Sequence, residues 1–107
     1  MLFALLLLAA AGGPNPTMIN APRKAYAACI HDFEHKSLDG KMAAAAYEAA
    51  IKSACADQAK ALTSALVAVD VGNGVKRASA LSNAAADLDD YVQTSIERYR
   101  DQMSPPK

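Results

Sequence analysis

The sequence predicts an all-α protein, a short up-down-up bundle of three helices, and three observations point to it. Residues 43–71 contain no proline or glycine and are dense in alanine and leucine, the residues that lose least on entering a helix. Apolar residues recur every three or four positions along that stretch and again along residues 75–103, which is the period of one helix face. Between Asn20 and the closing SPPK, turn-forming residues cluster twice, in HKSLDGKM at 35–42 and in VGNG at 71–74, so two turns join three helical segments.

The N-terminal run MLFALLLLAAA, residues 1–11, is too short to span a membrane and has the length of a secretory signal core. Ala9, Ala10 and Ala11 before Gly12 offer a small-x-small cleavage site, so the mature chain is expected to start near Gly12. No Lys or Arg precedes the run, which leaves open a true start further upstream, and no cysteine follows it to accept a lipid. The alternative is an N-terminal helix packed on the domain, which GGPNP directly afterwards would interrupt. Residues 12–19 then read as a flexible linker, residues 20–103 as the helical domain and residues 104–107 as a disordered tail.

Asn20 is a candidate N-cap for the first helix, with Pro22 in its first turn. Tyr26, Cys29, Ile30 and Phe33 share one apolar face of it. Gly40 either closes this helix or follows an Asp39 that caps the next. In the second helix, Tyr47, Ile51, Cys55, Ala59, Leu62, Leu66 and Val69 form the inward stripe, while Glu48 with Lys52 and Asp57 with Lys60 suit a wet face. It should end near Asp70, where Asn73 can cap the third helix. That helix carries Val75, Ala78, Leu81, Ala85, Leu88, Val92, Ile96, Tyr99 and Met103 as its stripe, and consecutive prolines end it.

One small domain is what 107 residues support, and a core without tryptophan and with few other aromatics has limited area. Eleven basic and eleven acidic side chains cancel without a long run of either sign, so the balance points to neither nucleic acid nor an anionic membrane surface. Cys29 and Cys55, both on inward faces of an exported chain, are expected to form a disulfide, the alternatives being two buried thiols or an intermolecular bridge. The bond requires the looser first turn, with helices ending near Asp39 and restarting near Ala43. Only then do both cysteines stand about 15–18 Å from the turn.

Candidate chemistry is sparse. His31 and His35 lie one helical turn apart, the spacing that two ligands of one zinc or copper ion use. The motif is not HExxH, because Asp32 follows the first histidine, and no third ligand is singled out. Asp87, Asp89 and Asp90 open like a calcium loop, but Val92 occupies the glycine position and Arg98 the glutamate position, which leaves a solvated helix face. No nucleophile elbow, phosphate loop, dinucleotide fingerprint or paired C-x-x-C occurs.

The order Cys29, Phe33, Lys36, Met42, Tyr47, Cys55, Asp70, Arg77 and the Asp90–Tyr91 pair resembles small exported all-helical proteins of sphingomonad-type alphaproteobacteria. Over roughly residues 25–100 the resemblance implies the periplasm, and it implies no activity or site, since that family has no established function. The expectation is a non-catalytic periplasmic or secreted protein of interaction or structural role, with another protein or a second copy as partner. A small metal-binding protein using His31 and His35 is the alternative, and an enzyme of unlisted constellation the third.

Overall fold

The computed structural model describes residues 15–104, and the expected signal segment lies outside them. Among the described residues every regular element is helical. A 3-10 turn, Pro16–Ile19, leads into α1, Asn20–Asp39, followed by α2, Ala44–Ala54, α3, Ala56–Gly72, and α4, Arg77–Met103. No helix among the described residues is long and apolar enough to cross a membrane.

Helical structure starts earlier than the sequence suggests. Asn15, not Asn20, does the capping, its side chain accepting from the Thr17 N–H at 2.9 Å. The 3-10 turn packs on α1 and α3, and Ile19 joins the core, so the end of the expected linker is part of the fold.

The main correction concerns the second leg. One helix was expected over residues 43–71; instead α2 and α3 meet at Cys55, whose φ of −120° and ψ of 40° take it out of the helical region. Among the described residues there are therefore four α-helices, not three. No glycine or proline marks the break. What singles out Cys55 is its bond to Cys29 of α1, with 6.0 Å between the Cα atoms, which tethers one point of the leg sideways. Ser53 adds to this by donating to the Ala50 carbonyl at 3.3 Å, a local bond that competes with the helical ladder.

Contacts along α4 show the directions of the legs. Tyr47 and Glu48 of α2 meet Tyr99 and Arg100 near the end of α4, whereas Val67 of α3 packs on Ala80 and Ala84 near its start. The middle leg is thus antiparallel to α4. Arg23 pairs with Asp87 and Glu34 with Arg98, both at a separation of 64 residues, so α1 runs parallel to α4 in constant register. Glu48 engages Arg100 across the fold, at 2.6 Å, and not Lys52 on its own helix.

The core has a large and a small part. In the large one, Tyr47 lies between Phe33, 5.4 Å away, and Tyr99, stacked at 3.9 Å, with Tyr26, Ile30, Ile51, Leu62 and Ile96 around them. The Tyr99 hydroxyl donates to the Met42 carbonyl at 2.6 Å, which fastens α4 to the first turn. The small part, beyond the start of α1, joins Val67 to Ala80 and Ala84.

The expected stripe of α4 is covered only in its lower half. Val92, Ile96 and Tyr99 are buried, but Ala78 and Ala85 are exposed and Leu81 is 45% exposed. The break explains the difference. Below it α2 covers the Ile96–Tyr99 side of α4; above it α3 lies on Ala80 and Ala84 instead, where the missing bulk of alanine permits a close approach.

Both turns are Schellman motifs with a residue at positive φ. After α3, Gly74 at φ 93° donates to Val71 at 3.0 Å and Val75 donates to Asp70 at 2.9 Å, so Asn73 closes α3 and does not cap α4. After α1, Lys41 at φ 55° donates to Leu38 at 3.0 Å and Met42 donates to Ser37 at 2.9 Å. Here the glycine sits one position too early, and a lysine holds the left-handed conformation. The looser first turn required by the disulfide is present. Lys41→Gly is expected to stabilise the fold by about 1 kcal/mol and Gly74→Ala to destabilise it by about 1–2 kcal/mol. Thermal unfolding measures both, and equal effects of the same sign would contradict this account of the turns.

Candidate functional site

The residues with the most chemistry lie where α1 and α4 run side by side. Three turns separate Arg23 from Glu34 on α1, and three separate their partners on α4, so two clasps hold the helices at a fixed height.

In the upper clasp the Arg23 guanidinium donates to both oxygens of Asp87, at 3.2 and 3.0 Å, and to the Tyr91 hydroxyl at 2.9 Å. Its carbon stands 5.8 Å from the centre of the Tyr91 ring, and Tyr26 meets that ring edge-on. These hydrogen bonds raise the pKa of Arg23 further above its ordinary value. Asp87, expected on a solvated face, is a specific ion-pair partner. The calcium-loop pattern has no counterpart, because the segment is continuous helix.

The lower clasp reaches the interior. Glu34 is 3% exposed, yet Arg98 Nε donates to both of its oxygens, at 3.0 and 2.7 Å, and Arg98 Nη2 donates to Oε1 at 2.8 Å. Ser95, fully buried, donates to Oε1 at 3.0 Å. Because the single hydroxyl proton of Ser95 is committed to Glu34, Tyr47 is the donor in its 2.6 Å bond to Ser95. A directed chain of hydrogen bonds thus runs from α2 through α4 to α1. Burial by itself pushes the Glu34 carboxyl up, but the hydrogen bonds from Arg98 and Ser95 and the nearby positive charge outweigh it and hold the group below its ordinary range. Burial raises the Tyr47 and Tyr99 hydroxyls, so both are neutral donors.

Between the clasps lies an open cleft of about 330 Å³. Ala27, Ile30 and His31 line it from α1, and Asp90, Tyr91, Thr94 and Arg98 from α4. Arg98 Nη1 takes no part in the bonds to Glu34 and is solvent-accessible. The cleft therefore offers an apolar floor, two hydroxyls and charges of both signs, features that suit contact and recognition.

Of the sequence-predicted site residues, Cys29 and Cys55 are brought together in the disulfide. His31 lines the cleft, His35 does not, and among the described residues no group of three His, Cys, Asp or Glu side chains could hold a metal ion. Sequence reasoning missed Glu34, Ser95, Arg98 and Arg23. The available signal was a charged or hydroxyl residue recurring on the inward face of a helix, as Glu34 does one turn from Ile30.

Fold and cleft together define a small all-α protein with one disulfide and an internal polar network. Compared with known proteins, it matches no family model, no curated protein and no solved structure.

Proposed function

We propose that this is a non-catalytic exported protein that acts in the periplasm by contact with other proteins. The observation that carries the reading is the polar network: its buried acid, hydroxyl and phenol are all committed to one another. Side chains so committed hold helices in place, whereas a general acid, base or nucleophile needs a free pair of electrons or a free proton aimed at a substrate. Among the described residues no buried side-chain polar atom lacks a partner. The disulfide supports export, since such bonds persist in oxidising compartments. The apolar run before Gly12 and the resemblance to exported sphingomonad-type proteins support it as well.

Pull-down from a periplasmic extract with the oxidised chain, starting at Gly12, tests the reading. Reproducible recovery of the same protein partner is expected, together with a native N-terminus near Gly12 by mass spectrometry. Turnover of a substrate by a chain that recovers no partner would reverse it. The alternative, a zinc or copper protein, rests on the one-turn spacing of His31 and His35. It is abandoned where metal affinity is the same after His31→Ala and His35→Ala.

A further inference from the structure

We infer that a second copy of this chain docks on the face of α3 and α4 opposite α1, completing an antiparallel four-helix bundle with a two-fold axis along the helices. The inference deepens the interaction reading by naming one partner and the surface it uses.

The face is the one uncovered by the break at Cys55. Above that point Ala78, Leu81 and Ala85 continue the apolar stripe of α4 with nothing over them, and beside them α3 presents Ala68 and Val71 over the buried Val67. The groove between the two helices has a volume of about 350 Å³. Val71 is 42% exposed and Leu81 45%, two of four large apolar side chains so exposed among the described residues, and they share this groove. Scattered single apolar residues need no explanation, but two of them facing one groove do.

A second copy fits because the face matches itself. Asn83 Nδ2 lies 3.4 Å from Asp70 Oδ2 and Val67 packs on Ala80 and Ala84, so residues 67–70 of α3 stand beside residues 80–84 of the antiparallel α4. Val71 and Ala68 accordingly stand within about one turn of the heights of Leu81 and Ala85. A two-fold axis parallel to the helices places α3 of one copy over α4 of the other at unchanged height. Val71 then meets the second copy's Leu81, Ala68 meets its Ala85, and each contact occurs twice. Every helix gains an antiparallel neighbour, the arrangement of up-down-up-down bundles. One step further down, Lys60, which has no ion pair within its own chain among the described residues, comes within a turn of the second copy's Asp89. The small side chains of Ala68, Ala78 and Ala85 allow the backbones to approach.

The face runs from Lys60 to Val71, about 18 Å of helix, and is two helices wide. It buries on the order of 1,000 Å² in total, the lower bound for a specific interface, so the dimer should dissociate on dilution through the micromolar range.

Sedimentation equilibrium of the oxidised protein from about 1 μM to about 1 mM is the test. A monomer–dimer equilibrium is expected, weakened at least tenfold by Leu81→Lys or Val71→Lys and unchanged by Thr94→Lys in the opposite cleft. Both positions are exposed, so circular dichroism should show unchanged helix content. Mixing Val71→Cys and Leu81→Cys chains under oxidation should give the mixed cross-linked dimer in preference to either homodimer. A monomer at every concentration overturns the inference, as does a dimer indifferent to Leu81→Lys. If such a monomer still recovers protein partners from the extract, the interaction reading stands and only the dimer falls.

Discussion

Arg98→Met is expected to destabilise the protein by about 2–4 kcal/mol, an effect of the size seen on truncating a buried leucine. The methionine keeps most of the stem that Arg98 lays across the interface but leaves Glu34 buried with Ser95 as its one side-chain hydrogen-bond donor. Water reaches the Arg98 side chain, which is 37% exposed, so the lower part of that range is favoured. Double replacement tests the cause. Glu34→Gln with Arg98→Met removes the stranded charge and should recover part of the loss; equal destabilisation of single and double variants in urea titrations would refute it. The sign of the pH dependence comes from the same group. The folded-state pKa of Glu34 lies below its ordinary value, so its contribution is present above the ordinary glutamate range and is lost as pH falls through the folded value. Acid should therefore unfold the native protein, and Glu34→Gln should flatten that limb of the stability curve.

Reduction of the disulfide should cost about 3.5 kcal/mol in the chain-entropy model for a loop of this size. Where the loss appears is the more informative readout. Without the bond, α1 keeps its two clasps to α4 but loses its covalent hold on the middle leg, where only packing such as the Phe33–Tyr47 stack remains, and the distorted backbone at Cys55 loses its tether. Hydrogen exchange on oxidised and reduced protein should speed up in α1 and around residues 53–58, with α4 below Val92 least affected. Uniform acceleration through all four helices would mean that the bond stabilises the fold as a whole and that no local account is needed.

These two predictions draw on features of unequal visibility. The middle stripe could be read because Tyr47, Ile51, Leu62 and Val69 repeat at the helical period, and all four are buried. That stripe continues across Cys55 without a fault, and this is why the break was invisible: periodicity reports which face is inward, not whether the axis bends. The turns were legible from glycine, yet the first was misassigned by one residue, since Lys41 occupies the position that glycine prefers. On α4, bulk misled. Leu81 looks like core and Ala80 like filler, but a close neighbour needs the small residue inward, so the two exchange roles. Glu34 and Ser95 were hidden because a single sequence does not show which polar residues on two distant helices will meet. The constant register of α1 on α4 carries that information, and only the fold displays it.

That register also bears on the order of assembly. Asp70 and Asn83 are 13 residues apart, Cys29 and Cys55 are 26, and both ion pairs between α1 and α4 span 64. Closing the longest loop costs the most chain entropy, and folding slows as contacts become less local. The α3–α4 hairpin can thus close early on nearby contacts, while α1, which precedes both in the chain, waits for α4 to be complete. During that wait the two thiols need only the middle leg to find each other, so oxidation has the opportunity to precede docking. The covalent link would then shorten the remaining search, and the oxidised chain would reach its final register faster than the reduced one.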